Sequence, residues 1–365
     1  MAGGSPPGFE LIPVPFAAVP GWYEDDHAAA LGAFRRSASA IAEHPPKRRI
    51  AGVDPEALSR AILRADALPA DPGVAEARAF FEKNFAAFEV RPHDGGAFYT
   101  GYYEPIVPAS RQPGAEFRTP LYAQPDDLVE IDPDSPPTGV ERGFRFARRT
   151  AEGFAPYFDR AEIEQGGVLR GAGLEIAWVA DPVDAFYIHI QGSARLRLAE
   201  GGEMRVTYAA KTGHPYTAIG RELIAMGALP KGGATMRGVR AWLAEHPAEA
   251  PGVMARNRSF IFFREAPVED PALGPVAAAK VPLSPGRSLA VDRLIHTFGT
   301  PVFVATSLAD GTPWRRLMVA QDTGSAIVGP ARGDIFLGSG EAAGEIAGAL
   351  QSRGRFILLS PREDA

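Results

Sequence analysis

The sequence contains no cysteine among its 365 residues. Disulfide bonds, thiolate chemistry and a lipid-modified cysteine are therefore excluded. The lack of cysteine does not indicate a cellular compartment, because many secreted bacterial proteins also lack it. No segment approaches the ~20 apolar residues that are needed to span a bilayer. The N-terminal stretch also lacks the basic region followed by an apolar region that marks a signal peptide. We therefore expect either a cytoplasmic protein or one whose leader has been removed and replaced by Met1.

Several catalytic and binding motifs are absent as well. His189, His214 and His296 have no metal-site spacing such as HExxH, so we expect neither a metal ion nor a cofactor. The Gly-Ser-Gly segment at 338–340 has neither the Walker lysine nor the glycine spacing of a dinucleotide site. Ser193 lies outside a Gly-x-Ser-x-Gly turn, which argues against serine hydrolysis. The net charge of −6 argues against nucleic acid as the main partner.

The composition favours a β-rich protein of two domains. A hydrophobic content of 45% and a charged content of 22% are globular values. The length of 365 residues exceeds what one ordinary domain needs. The 40 glycines and 34 prolines are spread along the chain, which favours many short strands and turns over a helical bundle.

The first third of the sequence predicts helices. Residues 24–43 form an amphipathic pattern. Asp54-Pro55 and Asp71-Pro72 each provide an N-cap aspartate and a first-turn proline for a further helix, the second running to about Phe88. Apolar stripes on such helices are ordinarily core, so we interpret these helices as packing elements.

From residue 98 onward the sequence predicts mainly strands. In the middle of the chain we expect strands at 175–180 and 185–191 and a hairpin of 195–198 with 204–208, then helices at 216–226, 236–245 and 248–256. In the last third we expect strands at 259–264, 289–293, 301–306, 313–320 and 356–359, with a helix at 341–353. We interpret about 101–213 as a small all-β unit inserted into the larger domain. The short, non-local strands of the last third suggest a small closed barrel, which leaves no sheet edge exposed.

The segment 317–340 carries the most informative chemistry. Asp322 follows an apolar run and Asp334 precedes another, and the glycines around them would let a bulky ligand approach the backbone. A carboxyl group buried beside apolar side chains stays partly protonated near neutral pH, as acid catalysis on a glycosidic bond requires. An aspartate at a turn can equally accept hydrogen bonds from backbone amides. The residues alone leave both interpretations open, and for Asp292 the structural one is stronger.

The aromatic stretch at 98–103, Phe-Tyr-Thr-Gly-Tyr-Tyr, is similarly open to two interpretations. It fits a core strand, and it fits the wall of a sugar-binding groove, because aromatic rings pack on the apolar faces of pyranoses. Together with the aspartates, it indicates a two-domain, β-rich enzyme that acts on a glycan.

A set of motifs follows in order along residues 98–359. They are Thr-Gly-Tyr-Tyr-Glu-Pro at 100–105, Arg-Ala-Glu-Ile at 160–163, Ile-Gln-Gly-Ser at 190–193, Lys-Thr-Gly-His-Pro-Tyr at 211–216, Ser-Phe-Ile-Phe-Phe at 259–263, Val-Pro-Leu at 281–283, Asp-Arg at 292–293, Gln-Asp-Thr-Gly-Ser-Ala-Ile at 321–327, Asp-Ile-Phe at 334–336 and Gly-Glu-Ala at 340–342. As a set they resemble the membrane-bound lytic murein transglycosylase A family, which the N-terminal helices match only loosely. The chain departs from some relatives in having Arg332-Gly333 before the acid, where an aromatic residue stands in them.

The resemblance implies a fold that is mainly β with helices, in two domains. Asp292, Asp322 and Asp334 resemble the three acids that name the 3D domain, a double-psi β-barrel related in shape to barwin and expansins. Residues 1–100 would be the N-terminal helical part of the barrel domain, 101–255 an inserted smaller β-barrel domain with its return helices, and 256–365 the 3D barrel part. Peptidoglycan would lie in a groove between the 3D barrel and the inserted domain.

The resemblance also implies a mechanism. Asp334 would protonate the leaving oxygen of the β-1,4 bond from N-acetylmuramic acid to N-acetylglucosamine. The same carboxylate would then accept the proton of the muramoyl 6-hydroxyl, whose oxygen attacks its own anomeric carbon and forms a 1,6-anhydro sugar. Asp322 would orient Asp334 or support the developing positive charge, and Asp292 would have a supporting role. The substrate-binding residues would be Thr100, Gly101, Tyr102, Gln191, Gly192, Ser193 and Lys211.

Two other functions stay open. A two-carboxylate hydrolase would need a second acid ~5–9.5 Å from Asp334 across the substrate, and Asp322 is the candidate. An expansin-like protein would bind the wall without turnover, although pure binding requires no acid.

The resemblance further implies the surroundings of the protein. The partners would be peptidoglycan glycan strands and complexes for wall synthesis or wall hydrolysis, and the protein would be a monomer. Because peptidoglycan lies outside the cytoplasm, the protein would act in the periplasm or on the periplasmic side of the outer membrane.

Overall fold

The computed structural model describes residues 8–362, in two compact units: the residues up to 103 with those from 270 onward, and residues 104–269. The helices are α1 (His27–Arg35), α2 (Ala38–Ile41), α3 (Pro55–Asp66), α4 (Val74–Asn84), α5 (Arg160–Glu164), α6 (Pro182–Gln191), α7 (Ile219–Ala225), α8 (Met236–Glu245), α9 (Ala250–Ala255) and α10 (Glu341–Ala349). The strands are β1 (Phe9–Val14), β2 (Phe85–Pro92), β3 (Ala97–Glu104), β4 (Ile106–Ser110), β5 (Thr119–Tyr122), β6 (Leu128–Glu130), β7 (Phe146–Thr150), β8 (Gly153–Ala155), β9 (Glu175–Val179), β10 (Ser193–Leu198), β11 (Glu203–Lys211), β12 (Ile261–Ala266), β13 (Ser288–Val291), β14 (Pro301–Ser307), β15 (Pro313–Asp322), β16 (Arg332–Ser339) and β17 (Gln351–Pro361). Within residues 8–362, no helix has both the length and the apolar character needed to cross a membrane.

The first unit is built on a ring of six paired strands. Around the ring, β17 pairs with β14, β14 with β15, β15 with β13, β13 with β16, and β16 with β3, which pairs back to β17. β1 and β2 branch from β17 at the side of this ring. Because the ring closes on itself, its strands have no free edge. The double-psi crossing of these strands stays a prediction from the resemblance.

One apolar core joins the ring to the N-terminal helices. Leu289 and Met318 of the ring belong to the same buried cluster as Phe34 of α1, Ile62 of α3 and Phe81 of α4. Phe34 and Phe81 meet edge to face, with 5.7 Å between ring centroids. The interpretation of these helices as packing elements is therefore confirmed.

The second unit contains a six-stranded sheet in the order β12-β11-β10-β4-β9-β5. A bridge between Phe263 of β12 and Ala123, which follows β5, connects its two edge strands. β6, β7 and β8 form a separate three-stranded sheet. Glu104 is fully buried in this unit and accepts hydrogen bonds from Arg195 and Arg205 at 3.2 and 2.5 Å, so its charge is paired.

Elements with a clear cap or turn signal follow the sequence prediction. Asp54 caps α3 by accepting a hydrogen bond from the Ala57 N–H at 2.8 Å. α8 spans the predicted 236–245. The predicted hairpin is β10 with β11, and the strands predicted at 301–306 and 313–320 pair with each other as β14 and β15.

One predicted strand was wrong. Residues 185–191 belong to α6, whose Asp181 accepts a hydrogen bond from the Val183 N–H and whose first turn contains Pro182. This Asp-Pro pair is the same signal that begins α3, and it outweighs the run of apolar and aromatic residues behind it.

Helix ends in the first unit also differ from the prediction. The third helix, expected from Asp71-Pro72 to about Phe88, begins at Val74 and ends at Asn84. β2 follows at once, because its backbone groups pair with β1 and β17. The predicted 24–43 helix is divided into α1 and α2, the predicted 341–353 helix stops at Ala349, and β1 was not predicted.

Candidate functional site

Two carboxylates lie on the strands that flank β13. Asp322 is the last residue of β15, and Asp334 is the third residue of β16. Both pair in register with Ala290 of the central strand. Neighbouring strands are ~4.8 Å apart, so about 10 Å separates the backbones at the two aspartates. The structure therefore brings the two predicted acids together in one site.

Strand β3 supplies one hydroxyl group to each carboxylate. Its side chains alternate, so that Thr100 and Tyr102 lie on the face opposite the buried Tyr99. Thr100 donates its hydroxyl hydrogen to Oδ1 of Asp334. The Tyr102 hydroxyl donates to Oδ2 of Asp322 at 2.8 Å. Burial raises the pKa of Tyr102 well above its ordinary value, so this hydroxyl remains a donor.

Burial raises the pKa of Asp334 above its ordinary value, because the site removes its carboxylate from water. The positive charge of Arg332 and the hydrogen bond from Thr100 oppose this rise without cancelling it. The Thr100 bond occupies Oδ1, and no hydrogen bond from residues 8–362 reaches Oδ2. Oδ2 of Asp334 is therefore free to hold a proton, and it holds that proton up to a higher pH than an aspartate in water does.

Burial also raises the pKa of Asp322, to about 6, and the charge of Asp334 adds to this rise. Hydrogen bonds from the Thr323 N–H at 2.8 Å, the Ala278 N–H at 3.4 Å and the Tyr102 hydroxyl favour the anion in the opposite direction. An acid with this pKa is mostly ionised at pH 7. The two negative charges repel each other, so ionisation of one carboxyl group disfavours ionisation of the other.

Asp292 follows β13 and holds the loop between the two acids. Its Oδ1 accepts a hydrogen bond from the Leu294 N–H at 3.0 Å, and its Oδ2 accepts one from the Gly329 N–H at 2.9 Å. His296 holds the same loop by donating from Nε2 to the Pro330 carbonyl at 2.7 Å. Burial lowers the pKa of His296 to about 4, so its ring is neutral at pH 7. Asp292 can thus support the site by fixing the loop that connects the two acids.

Replacement of Asp292 by alanine is expected to lower the free energy of unfolding by about 2 kcal/mol, because two amides lose their acceptor. Urea unfolding measures this change, and hydrogen exchange at the Gly329 amide should quicken. Asp310→Ala is the matched control, since Asp310 caps an exposed turn through the Thr312 N–H. Equal effects of the two substitutions would contradict a special role for Asp292.

Two glycines at the site lie close against other protein atoms, and the expected approach of a ligand to the glycine backbone stays a prediction. A Cβ on Gly333 would lie 2.7 Å from the Tyr99 ring. A Cβ on Gly101 would lie 2.8 Å from Leu337 Cδ1 and 2.9 Å from the Ala347 Cα. The space at both glycines is therefore already taken by protein atoms. A substrate contact of Gly101 stays a prediction.

We expect Gly333→Ala to lower the free energy of unfolding by about 1–3 kcal/mol, because the added methyl group must displace the Tyr99 ring. Thermal melting measures the loss. Gly252→Ala provides the control, because a Cβ there meets no atom within 4 Å and Gly252 lies inside α9. A Gly333→Ala protein that melts like the Gly252→Ala protein would show that Tyr99 moves aside freely.

The other predicted binding residues belong to the second unit. Gln191 ends α6, Gly192 follows it with φ of 81°, Ser193 begins β10 and Lys211 ends β11. The positive φ favours glycine at the helix end. Burial lowers the pKa of Lys211, and the charge of Arg145 adds to the effect. Their contacts with substrate stay predictions.

Sequence reasoning missed Arg332 as a site residue. Arg332 precedes Asp334 by two positions on the same strand, β16, and side chains two apart lie on one face. That spacing was the available signal. Its guanidinium donates to Thr100 Oγ1 at 2.6 Å and to the Gly333 carbonyl.

Comparison with known proteins matches most of both units. Residues 98–264 match a family model described as the MltA specific insert domain, and residues 287–360 match a 3D domain. A crystal structure of membrane-bound lytic murein transglycosylase from Agrobacterium tumefaciens is similar at 44% identity and a TM-score of 0.90, covering 98% of this chain and 99% of that one.

Two further relatives are more distant. Membrane-bound lytic murein transglycosylase A of Vibrio cholerae is 31% identical over 275 residues, which are 73% of this chain. The match spans 66% of the length of that relative. A crystal structure of E. coli MltA with bound chitohexaose is 25% identical with a TM-score of 0.65, covering 98% of this chain and 93% of that one.

Proposed function

This chain belongs to the membrane-bound lytic murein transglycosylase A family, and we propose that it cleaves the β-1,4 bond between N-acetylmuramic acid and N-acetylglucosamine in peptidoglycan. The product is a 1,6-anhydromuramoyl end, formed with Asp334 as both acid and base. The family predicted from the motifs is confirmed, as is a two-domain fold that is mainly β with helices.

The observation that carries the proposal is the environment of the Asp334 carboxyl group. Its pKa is raised by burial, so a larger fraction is protonated near neutral pH than for an aspartate in water. Thr100 occupies Oδ1, and the acidic proton therefore resides on Oδ2. A general acid requires such a proton on an oxygen that can reach the substrate.

The reaction then proceeds in two proton transfers on one carboxyl group. Asp334 donates its proton to the glycosidic oxygen as the bond from that oxygen to C1 of the muramoyl residue breaks. The resulting carboxylate accepts the proton of the muramoyl 6-hydroxyl, and O6 forms a bond to C1. Asp334 is again protonated and no water is consumed. Because the nucleophile belongs to the substrate, proximity replaces an activated water molecule.

Asp322 supports this chemistry as an anion. With a pKa of about 6 it carries a negative charge at pH 7, while the positive charge of an oxocarbenium-like transition state develops at C1. Its three hydrogen-bond donors fix the carboxylate in place. Asp322 therefore needs no proton transfer of its own.

A two-carboxylate hydrolase is the second candidate, because Asp322 and Asp334 both pair with Ala290 in one site. In that reaction Asp322 would activate a water molecule or attack C1 itself. The product would be a reducing end in place of an anhydro end.

Binding and location extend the proposal. Thr100, Gly101, Tyr102, Gln191, Gly192, Ser193 and Lys211 would contact the glycan strand. The chitohexaose bound to the E. coli relative supports a β-1,4-linked glycan as the ligand class. The protein acts as a monomer in the periplasm or on the periplasmic face of the outer membrane, together with complexes that build or degrade the wall.

Mass spectrometry of muropeptides released from purified sacculi tests the proposal. Anhydromuropeptides as the main soluble product support the transglycosylase. Products with reducing ends would replace it by the hydrolase. Binding to sacculi without any release would leave only an expansin-like binding protein.

A further inference from the structure

Arg332 is held at the site by partners on two strands. Its Nη2 donates to Thr100 Oγ1 at 2.6 Å, and its Nη1 donates to the Gly333 carbonyl. The guanidinium carbon lies 5.3 Å from the centroid of the Phe98 ring, in cation–π range. Phe98 and Thr100 both belong to β3, so Arg332 connects β16 to the strand that serves Asp334.

This contact favours the direction in which Thr100 donates its hydrogen bond to Asp334. A guanidinium group only donates, so the Thr100 oxygen must act as the acceptor toward Arg332. The single hydrogen of the hydroxyl group is then free to point at Asp334 Oδ1, where the structure places it. With Arg332 removed, this hydroxyl group could rotate and accept a hydrogen bond from a protonated Oδ1 instead.

We propose that Arg332 is a positioning residue, which acts through Thr100 to keep the acidic proton of Asp334 on Oδ2 and the carboxyl group in one orientation. The inference rests on the proposed function, because it concerns the acid that this function assigns. It assigns Arg332 no contact with the glycan.

Arg332 also has a direct electrostatic effect, which must be separated from the positioning effect. The charged and titratable groups that face Asp334 are Arg332 on its own strand, Asp322 from β15 and Tyr102 from β3. Arg332 favours the carboxylate, whereas Asp322 disfavours it. Loss of the arginine charge therefore raises the pKa of Asp334 further, and the high-pH limb of kcat moves to higher pH.

Four variants separate the two effects. We expect Arg332→Met to lower kcat by about 10-fold or more at an unchanged KM, because the misplaced proton affects only the transition state. Arg332→Lys keeps the charge but loses the fork that reaches Thr100 and Gly333, so kcat falls while the high-pH limb stays near its wild-type position. Thr100→Val removes the mediating hydroxyl group and lowers kcat by itself. Arg332→Met added to Thr100→Val is expected to lower kcat no further.

The assay is the release of anhydromuropeptides from sacculi as a function of substrate concentration and pH, with thermal melting of each variant. Equal kcat for wild type and Arg332→Met, or additive losses in the double variant, would overturn the inference. A raised KM at unchanged kcat would also overturn it, since Arg332 would then bind the glycan directly. If Arg332→Met does not fold, Arg332→Lys and Thr100→Val still test it through kcat. Failure of the wild type to form anhydro ends would instead overturn the proposed function.

Discussion

Replacement of Asp334 by asparagine is expected to lower the rate of anhydromuropeptide release by about 10³-fold, because one carboxyl group performs both proton transfers. An amide can neither donate the proton to the leaving oxygen nor accept one from the 6-hydroxyl group. Binding to sacculi should persist, since the fold and the other predicted contacts are unchanged. Muropeptide release and a sacculus pull-down measure the two quantities on the same preparation.

The same substitution has an expected effect on stability with a defined sign. The folded pKa of Asp334 is raised, so its contribution to stability is full below the unfolded pKa and is lost as pH rises through the folded pKa. Asparagine does not titrate and avoids that loss. The melting temperature of Asp334→Asn relative to wild type should therefore increase from pH 4 to pH 8.

A fall in activity accompanied by a lower melting temperature at pH 8 would point to damage of the fold in place of loss of the acid. Asp310→Asn serves as the matched control, because Asp310 is an exposed turn aspartate of the same unit. It should retain wild-type activity. Retention of activity by Asp334→Asn would remove the acid role altogether.

Replacement of Asp322 by asparagine is expected to lower the rate by about 10²-fold, the effect of removing one fixed group that stabilises transition-state charge. The remaining product should still have anhydro ends, because Asp334 and the 6-hydroxyl group are intact. Liquid chromatography with mass spectrometry gives the rate and the product type together.

The pH profile of Asp322→Asn distinguishes an electrostatic role from a proton transfer. In the wild type, burial raises the pKa of Asp322 to about 6, and the charge of Asp334 adds to this rise. Asparagine does not titrate, so the inflection near pH 6 should disappear from the pH profile of kcat, while a limb that belongs to Asp334 should remain. Reducing ends in the residual product, or no activity at all, would favour the two-carboxylate hydrolase.

Local sequence signals predicted a good part of the fold and singled out Asp322 and Asp334 as candidate acids, whose roles stay proposals. Asp54-Pro55 predicted the start of α3, because capping depends on neighbours in the chain. Apolar runs in the neighbouring sequence likewise predicted that Asp322 and Asp334 lie at or near strand ends. The run at 185–191 misled because a short apolar segment fits a buried helix as well as a strand.

What the sequence could not provide was the pairing of distant segments. Ala290 pairs with both Asp322 and Asp334, yet the residues next to it in sequence do not predict that register. The pKa of Asp322 depends on its burial in the folded chain, which raises it, and on a hydrogen bond from the distant Ala278 N–H, which opposes the rise. The role of Arg332 depends on the pairing of β3 with β16, because that pairing brings Thr100 within reach of its guanidinium group.

The strand pair that closes the ring has a consequence for the order of events during synthesis. β3 pairs with the C-terminal strand β17, where Ala97 lies opposite Gly354. On the ribosome, β3 emerges long before β17 exists, and contacts of such high sequence separation form late and slowly. Until β17 is released, the ring stays open and β3 keeps an unpaired edge. The closed ring, on which Thr100 and Asp334 both lie, therefore forms only after β17 has been made.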